Sequence, residues 1–397
     1  HGRDRRQRQM CIRDRPGSRL KQKIAGNDWK PLEDSESIEP MDGFDLHTTI
    51  DTRIQDVAQQ SLLRQLKKYK ADHGCAVVME VATGKLVAMA NLGRNEDSTY
   101  TELRNYAVWE ATEPGSTMKL ISTMALLETG VADTGTIVDT ENGVYTIKGE
   151  SVRDSRKGGY GKINLRRAFE VSSNTGIVKL VYENFKDKPE EYVDFLYRRG
   201  IHEKTGVSIK GETTPNIPKP SDNNWSGLTL PWMAYGYSLS MTPLQLLTIY
   251  NAVANEGKMV QPQVVSRIMD HGRVVEQFET KVLNQAICSQ ATIAKLQTLL
   301  KGVVTRGTAT NLLDDNLQLA GKTGTCQMNY WTGKTTDYQS SFAGYFPADK
   351  PAYSCIVVIN KPDHHIGYYG NIVAGPVFKT IAAVSYTHLR AHETKPN

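Results

Sequence analysis

The spacing of apolar residues predicts a series of helices in the middle of the chain. Between residues 52 and 69, apolar side chains recur every three or four positions, which predicts a helix with one buried face. Asp51 directly precedes this pattern and is predicted to cap the helix. The same kind of pattern predicts four further helices, over residues 116–128, 165–184, 242–255 and 290–304.

Strand patterns lie on both sides of this helical region. Residues 75–81 and 85–91 are rich in β-formers and flank a short turn that ends in Gly84, which predicts a hairpin. Further strands are predicted over 317–327, 340–346 and 353–360, whereas the segment 205–230, rich in Pro, Gly, Asn and Ser, is predicted to be a long surface loop. A hairpin, then helices, then strands predicts an α+β fold.

Composition and charge narrow the possible functions. Hydrophobic residues make up 39% of the 397 residues and charged residues 23%, as in ordinary globular proteins. The formal net charge is +5, but residues 1–15 carry +4 and residues 384–397 carry +1, so the chain between them is neutral. No basic face is therefore left to bind nucleic acid.

The two charged ends differ from the rest of the chain. RQRQMCIRDR near the start and SYTHLRAHET near the end show no helical or alternating pattern, and both resemble translated sequencing-adapter DNA. We interpret residues 1–15 and 384–397 as translated adapter DNA and exclude them from the functional argument. The alternative is that they are real disordered tails. Residues 16–47 are polar and are predicted to be an irregular lead-in.

Neither the cysteines nor the hydropathy identifies a special class of protein. Of five cysteines, Cys11 lies in the doubtful start, and the other four have no spacing that indicates a metal site: Cys75, Cys288, Cys326 and Cys355. The sequence contains no apolar stretch long enough to span a membrane and no visible signal peptide.

Three short motifs carry the candidate chemistry, and each occurs twice. Ser-x-x-Lys occurs at Ser116–Lys119 and again at Ser18–Lys21, in the polar lead-in. The first copy follows Glu-Pro-Gly and opens an apolar helix, where three-residue spacing stacks the hydroxyl and the amine on one face. Burial and the helix dipole both favour a neutral Lys119, which could act as a general base. A capping serine beside a solvated lysine is the plainer interpretation of this motif alone.

The two copies of each of the other motifs also differ in their predicted surroundings. Ser-x-N at Ser172–Asn174 lies in a mostly apolar helical pattern and is favoured over Ser221–Asn223, which lies in a Pro-rich loop that suits a simple turn. Lys-Thr-Gly at 322–324 lies in a predicted strand, whereas the copy at 204–206 lies in a loop. Alternation places Thr323 and Thr325 on one strand face beside a cation, which suits a carboxylate, and Gly324 indicates a close ligand approach; a glycine-containing turn is the plainer alternative.

With these residues identified, the chain resembles the transpeptidase domain of class B penicillin-binding proteins. The combination of Ser-x-x-Lys, Ser-x-Asn and Lys-Thr-Gly is shared by that class and the serine β-lactamases. EPGSTMK, VSSNTGIVKL, YGYSLSMTPLQLLTIYNAVANEGKMVQP and GKTGTCQ are most similar to the septal, cell-division type. The resemblance implies a penicillin-binding/serine β-lactamase-like transpeptidase fold, an antiparallel sheet flanked by helices with an all-helical subregion. It also implies that 16–50 is the tail of a pedestal domain and 51–383 the transpeptidase domain.

The resemblance also implies roles for the motif residues. Ser116 would attack the penultimate D-Ala carbonyl of a stem peptide, and Lys119 would take the serine proton. Ser172 and Lys322 would relay a proton to the leaving amine, and Asn174 would hold the substrate amide and orient Lys119. The terminal carboxylate would be bound by the Lys-Thr-Gly strand: Thr323, Gly324 and Thr325 together with Lys322. Backbone N–H groups of Ser116 and Thr325 would form an oxyanion hole. Cys326, where a smaller residue is frequent, is predicted to face the core.

The implied partners are peptidoglycan stem peptides, β-lactam antibiotics, a membrane-embedded glycan polymerase and divisome proteins, with no nucleic acid, no metal and no organic cofactor. The implied location is the cell envelope, as the periplasmic domain of an inner-membrane-anchored protein. Three alternatives remain: a D,D-carboxypeptidase, a β-lactamase-like hydrolase, and a non-catalytic β-lactam sensor or divisome scaffold. No convincing E-x-x-L-N loop is present between the second and third motifs, which disfavours a β-lactamase.

Overall fold

The computed structural model describes residues 21–23, 29–31, 43–330 and 337–393, with side chains for 43–330 and 337–386. The chain divides into two compact units, one formed by His1–Thr49 with Val264–Glu279 and the other by Ile50–Gln263 with Thr280–Asn397. The predicted adapter segment 1–15 lies outside the described residues.

Eleven α-helices occur in the described residues. They are α1 (Thr52–Lys68), α2 (Tyr106–Trp109), α3 (Lys119–Glu128), α4 (Leu165–Glu170), α5 (Asn174–Phe185), α6 (Pro189–Arg198), α7 (Thr229–Met233), α8 (Pro243–Ala254), α9 (Gln290–Arg306), α10 (Gly370–Val373) and α11 (Gly375–Glu393). Single 3₁₀ turns cover Gly115–Met118 and Thr310–Leu312. Among the described residues, none of these helices has the length and apolar character needed to cross a membrane.

The strands follow the same chain order. They are β1 (Lys21–Lys23), β2 (Trp29–Pro31), β3 (Asp45–Thr48), β4 (His73–Glu80), β5 (Leu86–Arg94), β6 (Tyr100–Thr101), β7 (Ile137–Asp139), β8 (Val144–Ile147), β9 (Glu150–Arg153), β10 (Lys162–Asn164), β11 (Met259–Val260), β12 (Val265–Asp270), β13 (Arg273–Gln277), β14 (Val282–Asn284), β15 (Ala320–Met328), β16 (Asp337–Phe346) and β17 (Tyr353–Asn360).

The smaller unit is a β structure in its described part. β1 and β2 pair with each other, and β3 pairs with β12, which in turn pairs with β13. The prediction that 16–47 is an irregular lead-in was therefore wrong for β1, β2 and most of β3. β3 completes its hydrogen bonds with a strand more than 200 residues further along the chain, and such a distant partner leaves no local signal.

The larger unit is built on a six-stranded antiparallel sheet in the order β15-β16-β17-β4-β5-β6. The predicted hairpin is confirmed as β4 and β5, and the three predicted C-terminal strands are confirmed as β15, β16 and β17. β4 and β17 are buried along almost their whole length, since they lie in the centre of the sheet with helices against them. This arrangement confirms the predicted α+β class.

Helices cover the sheet and also pack among themselves. Every residue of α8 is buried, and this helix packs against β16 and β17. Helices α3, α4, α5, α6 and α7 contact one another and form the predicted all-helical subregion. The predicted helix over 52–69 is confirmed as α1, and the Asp51 carboxylate accepts hydrogen bonds from two backbone N–H groups of its first turn.

The structure corrects the prediction at two further places. The single helix predicted over 165–184 is two helices, α4 and α5, with a break at residues 171–173. Helix α11 continues to Glu393, although no helical pattern was expected from residue 384 onwards. Ser385 is fully buried in this helix, because the α11 face that packs on the sheet extends one turn beyond the predicted boundary.

Candidate active site

Ser116 lies in the 3₁₀ turn that leads directly into α3. Gly115, just before it, has a φ of +57°, and a Cβ there would lie 2.8 Å from the Cβ of Cys326 in β15. Only glycine satisfies both the left-handed backbone and this close approach. The Glu-Pro-Gly segment therefore brings Ser116 close to β15, the strand that carries the third motif.

Lys119 is the first residue of α3, and its side chain is fully buried. Its Nζ donates to the backbone oxygen of Ser172 at 2.7 Å and to Asn174 Oδ1 at 2.5 Å, and lies 3.1 Å from Ser172 Oγ. Burial lowers the pKa of Lys119 to about 7, although the negative charge of Asp154 acts in the opposite direction. The amine is therefore poised between its charged and neutral forms near neutral pH.

Ser172 lies in the break between α4 and α5, not within a helix as predicted. It adopts a left-handed backbone with a φ of +56°, an uncommon conformation for serine. Its N–H donates to Phe169 O at 3.0 Å, and the next N–H, of Ser173, donates to Ala168 O at 2.8 Å. These contacts end α4 and turn the Ser172 hydroxyl towards the two buried lysines.

Lys322 lies in β15 and is also fully buried. Its Nζ is 2.8 Å from Ser172 Oγ and 3.1 Å from the backbone oxygen of Thr323. Burial and the neighbouring positive charge of Lys119 hold the pKa of Lys322 well below its usual range. Two amines from distant parts of the chain thus converge on one hydroxyl, and their repulsion disfavours both being charged together.

The residues predicted to bind a carboxylate lie along β15. Thr323 and Thr325 both line the cleft that contains Ser116, as the strand alternation predicted. Gly324 does not line it: a Cβ at this position would meet Ser341 Oγ and lie 3.0 Å from Thr117 Cγ2. Packing on the opposite face therefore explains this glycine, and its part in substrate binding stays a prediction. Cys326 is buried, as predicted.

Asn174 begins α5, where an aspartate that the sequence analysis missed holds the helix terminus. The Asp154 carboxylate accepts from the backbone N–H groups of Asn174 at 2.6 Å and Thr175 at 3.0 Å, and from the Thr175 hydroxyl at 2.7 Å. Asn174 Nδ2 donates to Arg153 O at 2.7 Å, which orients Oδ1 towards Lys119. Asp154 lies 20 residues before Asn174 and has no sequence signal of its own.

Several of these residues line one cleft of about 760 Å³, whereas Lys119 and Lys322 lie outside its lining. Aromatic side chains line much of it, with Trp232, Tyr235, Tyr237 and Tyr330 in one contacting series and Tyr338, Tyr368 and Tyr369 in another. Ser116, Ser172 and Asn174 share this cleft with Thr323 and Thr325. Within the described part of the chain, no hydrogen bond joins the Ser116 hydroxyl to Lys119, whose Nζ donates to Ser172 and Asn174.

The one group of potential metal ligands in the described residues lies elsewhere. Asp363, His364 and His365 bring ligand atoms within 4.8 Å of one another in the turn after β17. None of the three lines the cleft. The catalytic candidates are therefore amines, hydroxyls and amides, a set suited to acyl transfer through serine.

The match to known proteins agrees with this arrangement. Residues 74–383 match the family described as penicillin binding protein transpeptidase domain. Because that match covers most of the chain, this protein belongs to the penicillin-binding protein transpeptidase family.

Three relatives illustrate the similarity. The penicillin-binding protein PbpB of Mycolicibacterium smegmatis is 30% identical over 86% of this chain and 54% of its own length. The peptidoglycan D,D-transpeptidase FtsI of Escherichia coli is 27% identical over 92% of this chain and 60% of its own. The crystal structure of penicillin binding protein 3 from Mycobacterium tuberculosis, complexed with aztreonam, superposes with a TM-score of 0.77 at 27% identity, over 90% of this chain and 82% of that one. The chain thus spans between half and two thirds of the two sequence relatives.

Proposed function

We propose that this chain is a serine D,D-transpeptidase that cross-links peptidoglycan stem peptides through an acyl-enzyme and that β-lactams acylate it. The observation that carries the proposal is the convergence of two buried amines, Lys119 and Lys322, on the Ser172 hydroxyl in the cleft that Ser116 lines. The names of the relatives support the same activity.

In the first step, Ser116 Oγ attacks the penultimate D-Ala carbonyl and its proton passes to neutral Lys119. Two of the partners of Lys119 Nζ are carbonyl oxygens, which can only accept hydrogen bonds. A neutral amine can donate its two N–H groups to these oxygens and still has one lone pair, which can take the proton. Burial, and not these partners, favours the base form, and the resulting pKa of about 7 makes that form accessible near neutral pH.

In the second step, the tetrahedral intermediate collapses and the C–N bond breaks. Terminal D-Ala leaves as its nitrogen takes up the proton that Lys119 received from Ser116, relayed through Ser172 with Lys322, while Ser116 stays acylated. Lys322 Nζ donates to Ser172 Oγ at 2.8 Å, so the hydroxyl can pass on its own proton as it receives another. Backbone N–H groups of Ser116 and Thr325 would stabilise the oxyanion, a contribution of about 10²–10³ in rate for each donor.

The substrate contacts follow from the same residues. Thr323 and Thr325 would bind the terminal carboxylate with Lys322, and Thr323 Oγ1 is held 2.7 Å from the hydroxyl of Thr308. Asn174 would hold the substrate amide. An amine from a neighbouring stem peptide would then attack the ester, form the cross-link and return the proton to the site.

We place this activity in septal cell-wall synthesis in the cell envelope, on the periplasmic side of the inner membrane. The motif wording and the similarity to the E. coli transpeptidase support that placement. A membrane-embedded glycan polymerase and divisome proteins are the partners that this placement implies. We also propose that residues 51–383 form the transpeptidase domain and that 16–50 are the tail of a pedestal.

Labelling with a fluorescent penicillin tests the nucleophile. Wild type should form a covalent adduct, whereas Ser116→Ala should form none, and Ser18→Ala, in the other Ser-x-x-Lys copy, should label like wild type. Labelling of Ser116→Ala would contradict the proposal.

Turnover on a stem peptide ending in D-Ala-D-Ala separates the alternative functions. A transpeptidase should give the cross-linked product when an acceptor amine is added. Hydrolysis without transfer would show a D,D-carboxypeptidase, and rapid release of hydrolysed penicillin a β-lactamase. Labelling without any turnover would show a sensor or scaffold.

A further inference from the structure

An ion pair between a buried carboxylate and a half-exposed guanidinium lies next to residues that line the cleft and takes no part in the chemistry described above. Glu170 is the last residue of α4 and its side chain is 2% exposed. Its Oε1 accepts two hydrogen bonds from Arg306, the last residue of α9, from Nε at 2.9 Å and from Nη2 at 2.6 Å. Hydrogen bonds between two charged groups are shorter and stronger than those between neutral groups.

The backbone reinforces this pair. The N–H of Thr308 donates to the backbone oxygen of Glu170 at 3.0 Å, and Arg167 Nη1 donates to the backbone oxygen of Arg306 at 2.7 Å. The end of α4 and the end of α9 are therefore joined by side-chain and main-chain bonds in both directions.

Two glycines make this close junction possible. A Cβ on Gly302 would lie 2.6 Å from Glu170 Oε1, and a Cβ on Gly307 would meet the backbone oxygen of Glu170. Glu170 therefore occupies a space that α9 and the following turn leave open, and the carboxylate fits that space closely.

The junction lies between two parts of the catalytic apparatus. Two residues after Glu170, the chain reaches Ser172, whose left-handed backbone directs the relay hydroxyl. Two residues after Arg306, it reaches Thr308, whose hydroxyl lies 2.7 Å from that of Thr323 in the carboxylate-binding strand. Ser172 belongs to the helical side of the cleft and Thr323 to the sheet side, so the pair sets the spacing between the two sides.

We infer that Glu170, through Arg306, is a positioning residue that holds the Ser172 relay and the Thr308–Thr323 wall in register for acyl transfer. This inference rests on the proposed function. A displacement of about 1 Å at a reacting group can lower a rate by about a hundredfold. A loose junction should therefore slow acylation much more than it weakens the initial binding of a β-lactam.

The test compares the acylation rate constant with the dissociation constant of the preceding non-covalent complex, using a fluorescent penicillin. Glu170→Gln and Arg306→Gln should each lower the rate constant by about ten- to a hundredfold, with a change of less than about threefold in the dissociation constant. Arg306→Lys, which keeps the charge, should recover part of the rate. The double variant should be no slower than the slower of the two single variants, because each single change already removes the contact between Glu170 and Arg306.

A matched control separates positioning from general stability. Glu212→Gln alters another buried carboxylate, one that accepts hydrogen bonds from Thr205 N and Gly206 N in a loop outside the cleft. It should lower the melting temperature and leave the acylation rate constant within twofold of wild type. Because the Arg306 side chain is about half exposed, Arg306→Gln changes the ion pair without burying a new polar group.

Three results would overturn the inference. The first is a Glu170→Gln acylation rate constant within twofold of wild type, whatever the loss of stability. The second is an equal loss in Glu212→Gln, and the third is no recovery of rate in Arg306→Lys. These results leave the proposed function intact if wild type still acylates at Ser116. Failure of wild type to acylate would overturn both.

Discussion

Two Lys-Thr-Gly segments in this chain have the same sequence and opposite surroundings. Lys322 is fully buried in β15 and donates to Ser172 Oγ, whereas Lys204 is exposed in the loop before α7. In the loop copy, the N–H groups of Thr205 and Gly206 already donate to the Glu212 carboxylate, at 2.7 and 3.1 Å. A side chain of the protein thus occupies the backbone donors that a ligand would need.

The two Ser-x-Asn copies differ in the same way. Ser221, Asp222 and Asn223 are exposed, and Asp222 accepts a hydrogen bond from the N–H of Lys219 at 2.8 Å to close a turn. Ser172 instead has a left-handed backbone, and its hydroxyl accepts hydrogen bonds from two amines. The two copies of each motif therefore differ in the burial of the amine and in the direction of the hydroxyl, although their letters are the same.

The largest expected effect comes from replacing Lys322, which is the buried lysine of the two Lys-Thr-Gly copies. Lys322→Gln should lower the rate of acylation by a fluorescent penicillin by about 10²–10³-fold, because proton delivery and carboxylate binding are both impaired. Lys204→Gln is the matched control and should change the rate by less than twofold. Equal effects of the two substitutions would remove the distinction between the copies.

The next effect concerns the relay hydroxyl. Ser172→Ala should lower the acylation rate by about 10²-fold, since the leaving nitrogen loses its proton donor. Ser221→Ala should label at the wild-type rate. A Ser172→Ala rate close to that of wild type would show that Lys322 or water protonates the leaving group directly.

A smaller effect is expected from pH. Lys119 must be neutral to act as the base, and its pKa is about 7. The acylation rate of wild type should therefore rise with pH through about 7 and fall about tenfold for each unit well below it. A pH–rate profile that is flat between pH 5 and 8, with the fold intact by circular dichroism, would contradict this role.

The smallest effect on catalysis is expected at Glu212, which holds the Lys-Thr-Gly copy at 204–206. Glu212→Gln should lower the free energy of unfolding by about 1–3 kcal/mol, because two backbone N–H groups lose a charged acceptor. Its acylation rate should stay within twofold of wild type. Denaturant unfolding measured beside penicillin labelling checks both parts.

Much of the fold could be predicted from local patterns. Helix α1, the β4–β5 hairpin and the three strands β15, β16 and β17 were found because their apolar periodicity is strong over eight or more residues. The break between α4 and α5 could not be predicted in this way, since helical periodicity continues on both sides of Ser172. What ends α4 is the left-handed serine and the hydrogen bonds around it.

The site was predictable only where a motif marked it. The three motifs supplied the amines, hydroxyls and threonines, which share one cleft or lie directly beneath it. Asp154, Thr308 and the pair of Glu170 with Arg306 have no fixed spacing from those motifs. They meet the site through contacts between residues 15 to 136 positions apart.

The position of β15 at the end of its sheet has a further consequence. Among the described strands it pairs with β16 alone, so one side of its backbone is not covered by another strand. The N–H of Gln327 donates to the Tyr237 hydroxyl at 3.0 Å, and the remaining part of such a strand edge can pair with an extended chain. Two molecules that joined along this edge would each block the other's cleft, so dimers of that kind should be incapable of reacting with penicillin. Concentration-dependent loss of labelling would reveal them.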